Sequence, residues 1–497
     1  MEKDMSQSWW TELRQELPSK LAHLRVGIYA TAGAPYHHGA LAALWGAMPR
    51  MVSVQEILEG VLGELDVIVF PGGGLSAMSG MLAPLSPSGA ALVRRFVAEG
   101  GMYIGSCAGS FLPVAVAESF REVNPASREM FMVRARLANG ADSGWDGLTS
   151  PGVGVLEVEI SQGDHWLSLG LPKRFEIVHY NGPAFLTDCP LETIRQPEDP
   201  SEPAVGVIRF TKPTGRFTAW ENTLSQSPNP RPSMVDYIEQ GTYSVVTAGY
   251  RRGTVVLFGS HPEFGFNAIQ LGWGPACRLY ANALKYQAAR RVDLAAQPFK
   301  PALGDPKTLR AQLKQAQNQL LEHATQFRQL LSFSGADWLE PGRAPGFQGL
   351  TPREVWRRSL EDAAQACEQT VQYLEALASS ARDQDLLGCE FWINQAERGS
   401  QDYGFIGLMP LLEKMAGLIA QGQARLEAAP LEPSSPYDAW LEHPYHLLTS
   451  TYLSATGLAA CASLCAVMIG TLINPELPLP AVLVSEASGF AHSGKED

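Results

Sequence analysis

The chain has 497 residues, 45% of them hydrophobic and 18% charged, so it is long enough for more than one domain and too apolar for global disorder. A formal net charge of -13, with no cluster of Lys and Arg, excludes a surface built for nucleic-acid phosphates. Seven irregularly spaced cysteines without a CxxC pair exclude a disulfide framework or zinc ribbon, and the acidic N-terminus does not read as a secretory signal, which together point to the reducing cytoplasm.

Residues 1–24 read as a helical extension, with Trp9, Trp10, Leu13 and Leu17 near helical spacing before Pro18. Arg25 to Ala30 is a compact apolar strand, followed by the small-residue loop TAGAPYHHGA and a helix from about His38 to Met48. His37 and His38 read there as cap or surface histidines, with a place lining a pocket as the alternative. A helix is expected over Glu56 to Gly63, then a buried strand over Leu65 to Phe70 that ends in Pro71, Gly72, Gly73 and Gly74. Glycines at a strand end let backbone N–H groups approach an anion or oxyanion, although a tight turn is their commoner use. Gly89 to Glu99 sets Leu92, Val93, Phe96 and Val97 on one helical side, and Gly100-Gly101 closes it. Strand and helix in alternation imply a doubly wound, mostly parallel sheet, with chemistry gathered at the carboxyl ends of its strands.

The stretch MYIGSCAGSFLP, Met102 to Pro113, reads as a buried strand turning sharply into a helix. Gly105 and Gly109 leave room for such an elbow, which would expose Cys107, and helix N–H groups beginning at Ala108 would favour its thiolate. The plain alternative is a buried cysteine in a packing corner. From Glu118 to Gly249 strand-like pieces at Val153 to Ile160, Phe175 to Val178, Val205 to Phe210 and Tyr243 to Ala248 indicate an antiparallel extension or a loop-rich flank. HYNGPAF, His179 to Phe185, reads as a surface turn unless a site lies beside it. Thr254 to Phe258 is a further buried strand that runs into GSHPEFG. In an extended segment residues two apart share a side, which would let Glu263 orient His261 and His261 serve Cys107 as base; the plain alternative is a loop histidine paired with a nearby acid.

These pieces resemble the class I glutamine amidotransferase-like superfamily, and within it the domain at the N-terminus of some biotin-protein ligases. The matching segments are FPGGG at Phe70 to Gly74, GSCAGSF at Gly105 to Phe111, HYNGP at His179 to Pro183 and GSHPEF at Gly259 to Phe264. The resemblance covers roughly residues 25–290 and implies a flavodoxin-like amidotransferase fold. It implies Cys107 as nucleophile, His261 as general base and Glu263 as its orienting carboxylate, with an oxyanion hole from the N–H of Ala108 and of Gly73 or Gly74. Phe111, Tyr180 and Asn181 are candidates for contacting substrate. In the glutaminase pattern G-x-C-x-G-x-Q the last residue helps hold glutamine, and here it is Phe111, which counts against glutamine. Pro113 sits soon enough after the nucleophile to kink the elbow helix. No GRGRxG-like ligase loop is present in the sequence.

Residues 291–307, rich in proline, read as a linker into an all-α domain over 308–497. Its helices are expected at Thr308 to Leu331, Pro352 to about Arg382, Leu386 to Gln395, Gly407 to Ala428 and His446 to Ile473. No charged residue lies between Glu442 and Glu476, long enough to span a bilayer, but Ser and Thr fill its first half and no basic cluster flanks it, so a buried helix is expected. Cys461 and Cys465 read as small core residues, and His443 with His446 as a poor metal pair for want of a third ligand.

The sequence therefore indicates a Cys-His-Glu hydrolase acting on a small-molecule or peptide amide, or a related acyl bond, through a thioester. No cofactor, metal or nucleic acid is expected. The competing reading is a regulatory binding module whose chemistry has lapsed, and a third is a membrane-attached adaptor. The helical domain is left to cover the site, bind a protein partner or join copies of the chain.

Overall fold

The computed structural model describes residues 12–31, 33–72, 77–114, 125–138, 152–188, 202–218, 233–265, 270–272, 274–290, 305–331, 352–395, 406–427 and 444–484. Eleven strands among them form one sheet. In chain order they are β1 (Arg25–Tyr29), β2 (Met48–Val52), β3 (Val67–Phe70), β4 (Met102–Ser106), β5 (Arg136–Leu137), β6 (Val153–Ile160), β7 (Arg174–Tyr180), β8 (Phe185–Leu186), β9 (Val205–Thr218), β10 (Tyr243–Tyr250) and β11 (Gly253–Phe258). The main order is β2-β1-β3-β4-β11-β10-β9-β6-β7, parallel from β2 to β11 and antiparallel beyond.

The division follows from side chains. VIVF of β3, MYIGS of β4 and GTVVLF of β11 are buried at every position, as a strand covered on both faces requires. Their register pairs Phe70 with Gly105 and Phe258 with Ser106, so the residues just past all three strands emerge side by side. β2 was not evident in the sequence, which put helix as far as Met48. It is the edge strand, where Pro49 is tolerated and apolar alternation is weak. The helix before it, α1 (Tyr36–Leu44), is buried at all nine positions. The expected helix over Glu56 to Gly63 is shorter: Ser53 and Glu56 form a capping box for Val54–Leu58, and Gly60 at φ 100° breaks it before a 3₁₀ turn at Val61–Glu64.

α2 (Ala77–Ala98) is kinked where Ser86 adopts φ 59° between Pro84 and Pro87. The elbow helix α3 (Ala108–Phe111) is one turn only. Pro113 does not kink it, because the helix has already ended; its carbonyl instead accepts from the N–H groups of Met132 and Val133. α4 (Cys277–Arg290) returns the chain over the sheet, and its Gln287 side chain donates to the carbonyls of Asp66 and Gly100.

The second half is helical, with α5 (Pro306–Leu331), α6 (Pro352–Ser380), α7 (Leu408–Glu427) and α8 (Pro444–Ile473). The expected helix over Leu386 to Gln395 is split into Asp383–Leu387 and Glu390–Asn394. Asp305 caps α5 by accepting from Lys307 and Thr308. Leu309, Leu313, Ala316, Leu320, Ala324 and Phe327 form its buried stripe, each leucine worth about 1.5–3 kcal/mol in area removed from water. Within α8, Ala455–Ile473 is long and apolar enough to cross a membrane, but 72% of that window is buried in the fold. Small residues let α8 approach α1: a Cβ on Gly39 would lie 3.0 Å from Met468 Sδ and 2.6 Å from Met51 Cε. Helix α1 is therefore covered by the sheet and by the helical layer, and both halves share one apolar core. Trp9, Trp10, residues 291–304 of the linker and His443 lie outside the described residues.

Candidate active site

Three neighbouring strand tips build the site. Cys107 follows β4 at φ 46° and ψ -110°, a conformation disfavoured for a residue with a side chain by about 1–3 kcal/mol. The surroundings hold it there. Its N–H donates to Phe258 O at 2.8 Å, and its carbonyl accepts from Ser110 N–H at 3.0 Å and Ser110 Oγ at 2.6 Å. A Cβ on Gly105 would come within 2.6 Å of Gly109 O, and one on Gly109 would run into the Phe70 carbonyl, so the elbow needs both glycines.

The elbow does not expose the sulfur, contrary to expectation: Cys107 is 7% accessible. Gly72, at the tip of β3, lies so close that a Cβ there would be 2.6 Å from both Cys107 Cβ and His261 Cε1. From β7, the Tyr180 carbonyl accepts from Cys107 Sγ at 3.1 Å. A Cβ on Gly182 would meet the Gly259 carbonyl and lie 3.5 Å from Cys107 Cα, so HYNGP is a wall of the site and not a surface turn.

His261 follows β11 and is anchored by its N–H to Val178 O at 2.8 Å. Its Nδ1 is 2.7 Å from Glu263 Oε1, and its ring stacks on Phe264 at 4.3 Å and 5°. Tyr180 meets the same ring edge-on at 5.5 Å. His261 and Glu263 are both 1% accessible, so their charges are scarcely screened by water. Burial alone would depress His261, but the Glu263 carboxylate and then the Cys107 sulfur outweigh it and hold the imidazole well above its ordinary value, at about 10. Burial would raise Glu263, yet His38 and His261 hold it far below the usual carboxylate range, at about 2. Contact length decides which imidazole carries the charge: Glu263 lies 2.7 Å from His261 but 3.7 Å from His38, whose burial favours the neutral ring.

Cys107, His261 and Glu263 are thus brought together from two strand ends. A thiol, an imidazole and a carboxylate in that order can move a proton from sulfur to nitrogen and stabilise the imidazolium that results. Ala108 opens α3 directly after the sulfur, while Gly73 and Gly74 lie outside the described residues. Phe111 is buried at the end of α3. Asn181, at φ 52°, uses its side-chain oxygen to accept from Gly152 N–H at 3.1 Å, so it braces the β6 to β7 corner.

His37 and His38 are not surface residues: they are 5% and 0% accessible. His37 packs edge-on against Phe264 at 4.5 Å, and His38 Nε2 is 3.0 Å from Ser106 Oγ. Ser106, in turn, lies 3.3 Å from Glu263 Oε2. Sequence reasoning missed Ser106, Gly72 and Phe264 as site residues, and gave His38 a place lining a pocket only as the alternative. One signal was present: Ala34 to Leu44 contains no charged residue, and a helix apolar on all sides is a buried one. Among the described residues no group of three His, Cys, Asp or Glu side chains is placed to hold a metal ion.

Fold and site together define an α/β protein with a cysteine elbow and a histidine–glutamate pair on adjacent parallel strand tips. The chain is similar to the pyridoxal 5'-phosphate synthase subunit PdxT of Desulforudis audaxviator, 37% identical over 123 residues, which is 24% of this chain and 60% of that protein. It thus spans less than two thirds of the curated relative it matches. Among solved structures it is similar to a glutamine amido transferase from Methylobacillus flagellatus, at 13% identity and a TM-score of 0.29, covering 56% of this chain and 98% of that one. It is also similar to the CTPS glutaminase domain of Trypanosoma brucei, at 13% identity and a TM-score of 0.30, covering 55% and 96%. Structural likenesses this remote carry no argument. No protein-family model matches the chain.

Proposed function

We propose that the chain is an amidotransferase-like cysteine hydrolase that cleaves an amide or related acyl bond in a small molecule or peptide. The observation that carries this reading is the buried cluster itself: a cysteine forced to positive φ, beside a histidine whose far nitrogen is 2.7 Å from a buried carboxylate. With the proton of the pair already held on His261 Nε2, Cys107 Sγ attacks the carbonyl carbon as the thiolate. The oxyanion so formed is assigned to the N–H of Ala108 at the start of α3. His261 then protonates the leaving amine as the carbon–nitrogen bond breaks, leaving a thioester. Water, giving a proton to His261, attacks the thioester; the acid departs and the thiolate–imidazolium pair is restored. Similarity to PdxT is compatible with this chemistry. The HYNGP and GSCAGSF segments favour the biotin-protein ligase N-terminal type within that class, and Phe111 in place of glutamine disfavours glutamine as substrate. A cytoplasmic setting, where a free thiol survives, belongs to the same proposal.

A lapsed binding module is the second reading, and the hydrogen bond from Cys107 Sγ to the Tyr180 carbonyl favours it, because it keeps the proton on sulfur. Incubating wild type and Cys107→Ala with a pool of small amides and peptides separates the two. A mass adduct on wild type alone is the expected result; no adduct on either leaves the binding module ahead.

A further inference from the structure

Ser106 and His38 play no part in the scheme above, yet both are directed at Glu263. Ser106 is the last residue of β4 and His38 lies in the first turn of α1, so the sheet brings them to the carboxylate from two elements that carry neither His261 nor Glu263. All three side chains are buried.

We propose that His38 and Ser106 are positioning residues, forming a hydrogen-bonded chain from His38 Nε2–H to Ser106 Oγ–H to Glu263 Oε2 that fixes the carboxylate through the oxygen His261 does not use. The inference rests on the reading of Cys107, His261 and Glu263 as a working set. Proton counting gives the chain its direction. An ionised carboxylate only accepts, so Oε1 takes the proton of His261 Nδ1 at 2.7 Å and Oε2 takes that of Ser106 at 3.3 Å. Ser106 has one hydroxyl proton and has used it. The 3.0 Å contact with His38 Nε2 is then satisfied only if His38 donates.

That makes His38 the neutral Nε2–H tautomer. Its Nδ1 is buried without a hydrogen-bond partner, which a bare ring nitrogen tolerates at less cost than a buried N–H of an imidazolium. The groups facing His38 agree with a neutral ring: Tyr280 packs edge-on at 5.1 Å, its hydroxyl reaches the His38 carbonyl at 3.4 Å, and positive charge on His261 opposes a second cation. The consequence is mechanical. With one oxygen held by Ser106, the carboxylate cannot turn away from His261, and the imidazole is kept with Nε2 toward the sulfur. A neutral His38 also leaves the carboxylate's charge to His261.

Three measurements on the 497-residue chain test the proposal. Nitrogen-15 NMR of histidine-labelled protein is expected to show His38 as the neutral Nε2–H tautomer, without titration across the neutral range. Ser106→Ala is expected to speed exchange of the His261 Nδ1 proton with water by about tenfold, the weight of one hydrogen bond to a charged group. Alkylation of Cys107 is expected to slow by about tenfold in Ser106→Ala and in His38→Leu, and no further in the double variant, because the links act in series. His38→Gln, which keeps an N–H at the same reach, is expected to restore most of the rate. An Nδ1–H tautomer, unchanged exchange at His261, additive losses, or His38→Gln as slow as His38→Leu would each overturn the chain. If wild-type Cys107 labels no faster than an ordinary thiol, the hydrolase reading falls, and the tautomer and the His261 exchange rate still decide this one.

Discussion

The buried cysteines of the helical half and Cys107 at the strand tips differ in their neighbours. In the helical half Cys367, on α6, is fully buried, and burial foremost pushes its thiol up to about 12. Cys389 is likewise pushed up to about 12, and Cys465, which donates to the Trp392 carbonyl at 3.0 Å, is raised further. At the strand tips Cys107 is almost as buried, but it faces an imidazole held protonated by a carboxylate. Burial alone makes a thiol inert, whereas a fixed cation beside a buried thiol is the setting that the proposed chemistry requires. The two regions also differ in backbone. The helical layer is regular and rests on apolar stripes, whereas the elbow holds a disfavoured φ that its glycines and hydrogen bonds must maintain.

That contrast can be broken from either side. The largest expected effect is at the elbow: Gly109→Val would drive a side chain into the Phe70 carbonyl and is expected to cost about 3 kcal/mol or more in urea unfolding. A loss below about 0.5 kcal/mol would mean the turn is slack. In the helical layer the buried hydroxyl pair Thr370 and Ser463, 2.7 Å apart, sets the scale. Ser463→Ala is expected to cost only about 0.5–1.5 kcal/mol, the weight of one hydrogen bond, because the Thr370 hydroxyl still donates to the Ala366 carbonyl at 2.6 Å; a loss above about 3 kcal/mol would contradict this. The two halves meet at Tyr36, whose hydroxyl donates to Ile406 O and accepts from Ile406 N–H, each at 3.1 Å. Tyr36→Phe is expected to lower the unfolding midpoint by an amount equal to about 1 kcal/mol, and an unchanged midpoint would show the junction to be unimportant.

The smallest effect is on pH dependence. His261 is raised above its ordinary 6.5, so its contribution to stability is fully present below that value and is lost as pH rises through about 10. Glu263 is depressed below 4.5, so its contribution is present above that value and is lost as pH falls toward about 2. Denaturation midpoints of wild type and Glu263→Gln are therefore expected to differ most between these limits and to converge outside them. A difference that is flat with pH would remove the ion pair from the account.

How much of this was legible in the sequence depended on local signal. The strands β3, β4 and β11 were legible because each is an unbroken apolar run that ends in glycine or a polar turn, and those same ends carry Cys107, His261 and Glu263. His38 was hidden for the opposite reason. Its helix lies between the sheet and α8, and the sequence does not say which later helix covers an earlier one. Ser106 stood beside the cysteine but reads as one more small elbow residue; only strand register reveals that it faces Glu263. The exposure expected of Cys107 failed because its cover comes from β7, more than 70 residues further along the chain.

The most direct test is the rate at which iodoacetamide labels Cys107 in the native protein at neutral pH, read by mass against Cys367 and Cys465. The account predicts that Cys107 labels at least about a hundredfold faster than either helical thiol, and that His261→Asn removes most of that difference without unfolding the chain. Labelling of Cys107 at the rate of the helical thiols, or a rate untouched by His261→Asn, would contradict it.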